Sequence, residues 1–126
     1  MYKVAVSREF IAQHYLIGGD WGRENQLNSH HYRLEIIIQN EQLDKHGYLV
    51  DIVEVENAIN DIVSTYQDNT LNEFSEFQEL NPSLENFCKI IGDVFCLKLS
   101  NIELYSVEIK LWEDSNAWAS HTRTLK

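Results

Sequence analysis

The sequence contains a few histidine, carboxylate and amide side chains that could bind a metal and move protons. His14 and His30 each lie at one end of a segment with strand-like alternation, on the face that carries its aromatic and aliphatic residues. Two imidazoles that converge across paired strands can bind zinc, although a catalytic zinc site uses three protein ligands and an open position. Asn28 is on the same face as His30 but offers only an amide oxygen, whereas Glu24 is a harder ligand or a base. The same histidines are also explained as ordinary polar strand residues.

Glu113 is a second candidate, because it ends the alternating apolar stripe of a later segment. That stripe consists of Tyr105, Val107, Ile109 and Leu111. A carboxylate on a buried face is unfavourable unless it is paired, and a two-point donor would satisfy both of its oxygens. Such a donor is a guanidinium or the 2-amino and N3-H edge of a heterocycle. The alternatives are an exposed strand end or an internal ion pair with Arg8 or Arg123.

Hydrophobic periodicity predicts the elements that must position these residues. Period-two alternation predicts strands over 2–14, 30–39 and 105–113, with a last extended segment over 116–124. Three- and four-residue spacing predicts one helix after the capping-box sequence 51–54 and a second helix that begins at 82–83. Residues 16–28 hold three of the five glycines and show no steady period, which predicts a functional or mobile loop. Asp68 follows the first helix, where a helix-ending turn explains it.

The order of two strands, two helices and two strands predicts an α+β fold. We expect a four-stranded antiparallel sheet with both helices on one face, in one domain over residues 1–126. The two outer strands of such a sheet need covering, so joining of sheets between chains into an oligomeric barrel is a natural solution.

The charge and hydrophobicity of the sequence indicate which kinds of binding partner are unfavourable. Twenty acidic against ten basic residues give a net charge of −10, which disfavours binding to nucleic acid and to anionic membrane surfaces. No apolar stretch approaches the roughly 20 residues that cross a bilayer, and the N-terminus lacks the apolar region of a signal peptide. We therefore expect a cytoplasmic protein with a small ligand. Cys88 and Cys96 are expected to be reduced thiols without a catalytic role.

Five short segments form a set with a specific order and spacing. They are Phe-Ile-Ala-Gln-His at 10–14, Asn-Ser-His-His-Tyr at 28–32, Gly-Tyr-Leu-Val-Asp at 47–51, Pro-Ser-Leu-Glu-Asn at 82–86, and Trp-Glu at 112–113 with Ala-Trp-Ala at 117–119. Together they resemble the 6-pyruvoyltetrahydropterin synthase and 6-carboxytetrahydropterin synthase family over nearly the whole chain. The resemblance implies a tunnelling fold, in which subunits join their sheets into a trimeric barrel, usually stacked as a hexamer, with active sites at subunit interfaces.

The resemblance also implies a chemistry. The substrate would be 7,8-dihydroneopterin triphosphate, with its pterin ring held by Glu113 and by the region of Ser83 and Leu84. His14 and His30 would bind zinc, with Asn28 at the position of a third ligand. Zinc would polarise the oxygens of the substrate side chain while a base moves protons, and triphosphate or part of the side chain would leave.

The departures from the family pattern leave the activity open. The resemblance implies a proton relay of cysteine, aspartate and histidine, in which Asp68 would be the catalytic aspartate. Asn28 replaces one zinc histidine, Glu24 stands where the catalytic cysteine would fall, and Asn69 replaces the histidine that follows Asp68. A glutamate in the cysteine position resembles a branch of the family that leaves 6-hydroxymethyl-7,8-dihydropterin, with Glu24 as the base. The chain is thus a lyase that uses Glu24, a standard synthase with a weak metal site, or a pterin- or purine-binding protein without catalysis. It could also be a partner subunit that contributes Glu113 to a mixed oligomer.

Overall fold

The computed structural model describes all residues, 1–126, and confirms the predicted order of elements. The elements are β1 (Tyr2–His14), β2 (Asn28–Asn40), α1 (Ile52–Tyr66), α2 (Leu84–Lys98), β3 (Ser106–Trp112) and β4 (Trp118–Thr124). The four strands form one antiparallel sheet in the order β1-β2-β3-β4. Three short 3-10 turns lie at Gly22–Asn25, Leu71–Glu73 and Ser75–Phe77. Neither α-helix has the length and apolar character that crossing a bilayer requires.

Five strand ends differ from the predicted bounds by one or two residues, and three of these differences have a clear cause or consequence. β2 begins at Asn28, two residues earlier than predicted, because Asn28 pairs with His14 at the end of β1. β3 ends at Trp112, so Glu113 follows the strand instead of ending it. β4 begins at Trp118, because residues 114–117 form a turn. The Asp114 carboxylate stabilises this turn by accepting hydrogen bonds from the backbone N–H groups of Asn116 and Ala117.

Both helices begin with a side-chain cap. The Asp51 carboxylate accepts from the N–H of Val53 at 3.0 Å, while the reciprocal arm from Glu54 that a capping box would add is not formed. The Ser83 hydroxyl accepts from the N–H of Asn86 at 3.2 Å at the start of α2. This cap defines Leu84 as the first residue of α2.

The core lies between the sheet and the helices. α1 packs on β1, and α2 packs on β3 and β4. One cluster of 25 buried residues fills this layer. Phe87 of α2 lies at the centre of its aromatic part, with four rings at centroid distances of 5.2–6.1 Å: Phe10, Tyr32, Tyr66 and Phe77. Because Tyr32 and Phe10 belong to the first two strands, Phe87 couples α2 to that end of the sheet.

The edge of β1 is partly covered by the segment that follows α1. The N–H of Asp68 donates to the carbonyl of Ile11 at 2.7 Å, and the N–H of Gln13 donates to the carbonyl of Asn69 at 3.0 Å. The outer edges of the remainder of β1 and of the whole of β4 have no neighbouring strand within the chain. These two open edges are where a second chain could add its sheet.

Both cysteines are free, as the sequence predicted. Burial raises the pKa of the Cys88 thiol to about 12, and its sulfur donates to the carbonyl of Ala119 at 3.4 Å. A thiol that stays protonated is a poor nucleophile, so this side chain has a packing role.

The position of Phe87 gives a first prediction. Phe87→Ala should lower the free energy of unfolding by about 3–5 kcal/mol, because a fully buried ring leaves a cavity among four others. Urea unfolding followed by circular dichroism measures the loss. Phe74→Ala is the matched control, since Phe74 is only partly buried and contacts Tyr66 alone among aromatic rings. An equal loss in the two variants would contradict the central role of Phe87.

Candidate active site

The antiparallel register of β1 and β2 brings His14 and His30 together, as the sequence predicted. His14 pairs with Asn28 and Ala12 pairs with His30, so the two histidines are diagonal neighbours on the helix-covered face. Their rings stack with centroids 4.5 Å apart and an interplanar angle of 22°. His31 points to the opposite face, where its Nε2 lies 3.2 Å from the carboxylate of Glu9.

Glu24 joins this pair from the loop between the two strands. Its Oε2 lies 3.8 Å from Nε2 of His14 and 3.7 Å from Nε2 of His30. The sequence predicts a functional or mobile loop here, and the 3-10 turn at Gly22–Asn25 gives that loop a defined path. The N–H of Leu16 donates to the carbonyl of Glu24 at 2.8 Å, which ties the turn to the end of β1.

Burial keeps the His14 imidazole neutral. Desolvation, helped by the neighbouring His30, lowers the pKa of His14 to about 4, although Glu24 acts in the opposite direction. Nδ1 of His14 lies 2.8 Å from the Tyr32 hydroxyl. Burial first, and then the charges of Glu113 and Glu24, raise the pKa of Tyr32, so this phenol also stays neutral.

The His30 ring carries a polar atom that is not hydrogen-bonded within the chain. Its Nε2 is buried and has no hydrogen-bond partner. An unsatisfied buried polar atom costs on the order of 1–3 kcal/mol, so a group that binds this nitrogen stabilises the site.

The three side chains fit a metal ion. One donor atom from each of His14, Glu24 and His30 lies within 4.8 Å of the others. Zinc binds nitrogen at about 2.0–2.1 Å in a tetrahedral arrangement, which places its ligand atoms roughly 3.4 Å apart. The separations of 3.7 and 3.8 Å between the carboxylate and the two imidazoles are close to that value. Neutral imidazoles and a carboxylate are ordinary zinc ligands.

Asn28, the third position expected to touch the metal, has backbone partners. Its side-chain N–H₂ donates to the carbonyl of Gln26 at 2.8 Å and to the carbonyl of His14 at 3.2 Å. These bonds close the loop at the point where β2 begins. The amide therefore holds the backbone beside the two histidines.

Asp68 does not join this cluster within one chain. It has a positive φ of 62°, is exposed, and lines a shallow cleft with Glu9, Ile11 and His31 on the opposite face of the sheet. Asn69 donates its side-chain N–H₂ to the carbonyls of Thr65 and Gln67. The two residues thus end α1 and cover the edge of β1.

Glu113 is half-buried and makes no side-chain hydrogen bond or ion pair in the chain. The internal partners considered for it are engaged elsewhere, because Arg8 pairs with Glu56 at 3.1 Å and Arg123 pairs with Asp93. Glu113 lines an open cleft of about 470 Å³ together with Trp112 and with Glu9, His31 and Arg33 on the open face of the sheet. Its charge also acts on Tyr32, which lies on the helix-covered face. The carboxylate lies just beyond β3, at the border of the buried layer.

Ser83 and Leu84 lie where α2 approaches the same end of the sheet. Leu84 is partly buried against the core, and Phe87, one turn later, packs on Tyr32 with ring centroids 5.4 Å apart. The side-chain oxygen of Asn81 accepts from the N–H of Ile17 at 3.0 Å, which joins this segment to the loop that carries Glu24.

Sequence reasoning missed the role of Tyr32. It was assigned only to the apolar face of β2, yet its hydroxyl contacts His14 and its phenol is within the electrostatic reach of two site carboxylates. The sequence did contain an indication of this role, because Tyr32 lies two residues after His30 and therefore on the same face of the strand.

Comparisons with known proteins agree with this architecture. Residues 3–124 match the family model described as 6-pyruvoyl tetrahydropterin synthase. No curated protein sequence matches the chain. Among solved structures, the Caenorhabditis elegans 6-pyruvoyl tetrahydropterin synthase has a TM-score of 0.78 at 19% identity, and each chain is covered to 98%.

The Plasmodium vivax 6-pyruvoyltetrahydropterin synthase also has a TM-score of 0.78, at 13% identity and 98% coverage of both chains. Two further structures of that enzyme are described as catalytic-residue mutants, with a glutamate replaced by cysteine or by alanine. At these identities the structural likeness establishes the fold, while the match of the family model over nearly the whole sequence establishes membership. The chain belongs to the 6-pyruvoyl tetrahydropterin synthase family.

Proposed function

We propose that this chain, as a single domain over residues 1–126, is a pterin-processing lyase that acts on the side chain of 7,8-dihydroneopterin triphosphate. The observation that carries the proposal is the position of the Glu24 carboxylate, 3.7–3.8 Å from the Nε2 atoms of two stacked histidines. This arrangement combines a metal-binding pair with a group that can accept a proton. A 6-hydroxymethyl-7,8-dihydropterin is the expected product.

Glu24 is the proposed proton-transferring residue. The side chain is about half-exposed, so substrate can reach it. A glutamate is also the catalytic residue altered in the P. vivax structures, which supports the assignment. General-base catalysis requires a carboxylate within hydrogen-bonding reach of the substrate hydroxyl, and the fixed path of the loop positions this group.

His14 and His30 are the proposed histidine ligands of zinc. When bound, zinc would polarise the hydroxyl oxygens of the substrate side chain. At His14 the chain itself supplies a neutral imidazole, since burial lowers the pKa of this side chain to about 4. Tyr32 contributes by accepting a hydrogen bond from Nδ1 of His14, which leaves Nε2 free to ligate.

Glu113 is the proposed pterin anchor, together with the Ser83 and Leu84 region. Its carboxylate is half-buried and unpaired, and the amino and ring N–H groups of a pterin supply the two donors that it lacks. Both halves of the proposed site lie around Tyr32, because the charges of Glu24 and Glu113 both act on its phenol. The ring and the side chain of one substrate would thus span the two carboxylates.

A trimeric or hexameric assembly of identical chains is part of the proposal. β4 and most of β1 are open edges, and Asp68 lies outside the cluster of its own chain. Addition of β4 of one chain to β1 of the next would cover both edges. Asp68 is the second proposed catalytic residue, and since it lies outside the cluster of its own chain we propose that it serves the site of a neighbouring chain.

A pterin- or purine-binding protein without turnover is the second candidate, and one observation favours it. Asn69 cannot relay a proton at neutral pH, and its amide is held by two backbone carbonyls. The ligand and its anchor would be the same in that case. Only the measurement of product distinguishes the two functions.

Glu24→Gln should reduce product formation from 7,8-dihydroneopterin triphosphate by about 100-fold or more, because an amide cannot accept the proton. Chromatography with fluorescence detection of the oxidised pterins measures the product. Glu41→Gln is the control, since Glu41 is an exposed glutamate outside the site. An unchanged rate in Glu24→Gln removes Glu24 as the base, and no product from the unaltered chain favours the binding protein.

Glu113→Gln should weaken binding of a dihydropterin by about tenfold or more, since a charged two-point acceptor becomes an amide that presents a donor to the ring. Isothermal titration calorimetry measures the dissociation constant. Glu41→Gln again serves as the control. Wild-type affinity in Glu113→Gln would refute the proposed orientation of the ring.

Light scattering should give a mass of three or six times the chain mass of 14.8 kDa. A monomer at micromolar concentration would contradict the proposed assembly. Co-purification only as a mixed complex with a second family member would indicate a partner subunit.

A further inference from the structure

The metal site requires a ligand beyond the two histidines. Catalytic zinc sites use three protein ligands and leave one position open for substrate or water. In this chain only His14 and His30 bring imidazole nitrogens to the cluster. The sequence offers two nearby residues for the third position, Asn28 and Glu24.

Asn28 is the weaker of these two residues. Both of its polar contacts are made by the side-chain nitrogen, to the carbonyls of His14 and Gln26. A neutral amide oxygen is in addition a poor match for zinc. The two backbone contacts of the Asn28 side chain account for an asparagine at this position, and they do not involve a metal.

Glu24 has the geometry of a ligand. A single oxygen, Oε2, lies nearly equidistant from the two Nε2 atoms, at 3.8 and 3.7 Å. Both separations are too long for a hydrogen bond, and Nε2 of His30 has no other partner although it is buried. Three donor atoms that face one another without bonding are the arrangement that an ion between them would satisfy.

The loop holds Glu24 in this place independently of any ligand. Asn25, the next residue, donates its side-chain N–H₂ to the carbonyls of Leu16 and Gly19 at 3.1 and 3.0 Å. Its side-chain oxygen accepts from the N–H of Trp21 at 2.6 Å. Gly22 begins the turn with a φ of 64°, a backbone conformation that favours glycine.

We propose that Glu24 is the third metal ligand, so that the site is a set of two histidines and one carboxylate. The inference rests on the proposed metal site but not on the pterin chemistry. Ligation by Oε2 leaves Oε1 of the same carboxylate to face the substrate. One anionic ligand reduces the net charge of a divalent metal site from +2 to +1, and such sets bind Zn²⁺ and other first-row divalent ions.

Metal titration of the chelator-treated full chain tests the assignment. Zn²⁺ affinity is measured by calorimetry, and Co²⁺ is added as a spectroscopic probe because its visible absorption reports the ligand set. Glu24→Gln should weaken Zn²⁺ binding by about tenfold or more and alter the Co²⁺ spectrum. Glu41→Gln should match the unaltered chain, and His14→Ala should lose binding.

Asn28→Ala separates the two possible third ligands. Its Zn²⁺ affinity should equal that of the unaltered chain, even where the loss of the amide contacts lowers its melting temperature. Unchanged affinity and an unchanged Co²⁺ spectrum in Glu24→Gln, or a larger loss in Asn28→Ala, would overturn the assignment. Either result would leave the proposed lyase function intact, because that function is tested by product and pterin binding.

Discussion

The pairing register of β1 with β2 is the constraint on which the site depends. It places His14 and His30 on the helix-covered face as diagonal neighbours, with the small side chain of Ala12 opposite His30. Because side chains alternate along a strand, a slip of one residue would turn the histidines to the open face and bring His31 inward. The buried Tyr32, Leu34, Ile36 and Ile38 of the same strand oppose that slip, so packing of the core also fixes the geometry of the site.

Tyr32 connects the stability of the fold to the chemistry of the site. Its ring packs against Phe87 and Phe10 in the aromatic core, and its hydroxyl contacts Nδ1 of His14. The same burial that stabilises the ring keeps the phenol and the neighbouring imidazole neutral. A neutral imidazole with one nitrogen held is what metal binding requires, and Phe87 of α2 contributes to this condition by packing on Tyr32.

The sequence predicts most of the fold, because periodicity and caps are local signals. Asp51 and Ser83 mark the helix starts, and the alternation around His30 and Glu113 marks strands. The convergence of the histidines also followed from strand alternation. The position of Glu24 did not, because the 3-10 turn depends on the contacts that Asn25 makes with distant backbone carbonyls. The separation of Asp68 from the cluster likewise depends on how its segment covers the edge of β1.

Two polar side chains at one end of the sheet, His30 and Glu113, lack a partner within the chain and need partners of different kinds. Nε2 of His30 is buried without a partner, and the Glu113 carboxylate is half-buried without a donor. The two groups form no hydrogen bond or ion pair with each other. Tyr32 interacts with both, since its ring centroid lies 5.9 Å from that of His30 and the charge of Glu113 acts on its phenol. A metal ion would bind the free nitrogen of the imidazole, and a ring with adjacent N–H groups would donate to both oxygens of the carboxylate. In the proposed function, a pterin whose side chain reaches the metal would meet both requirements at once, and the two groups would then be parts of a single site.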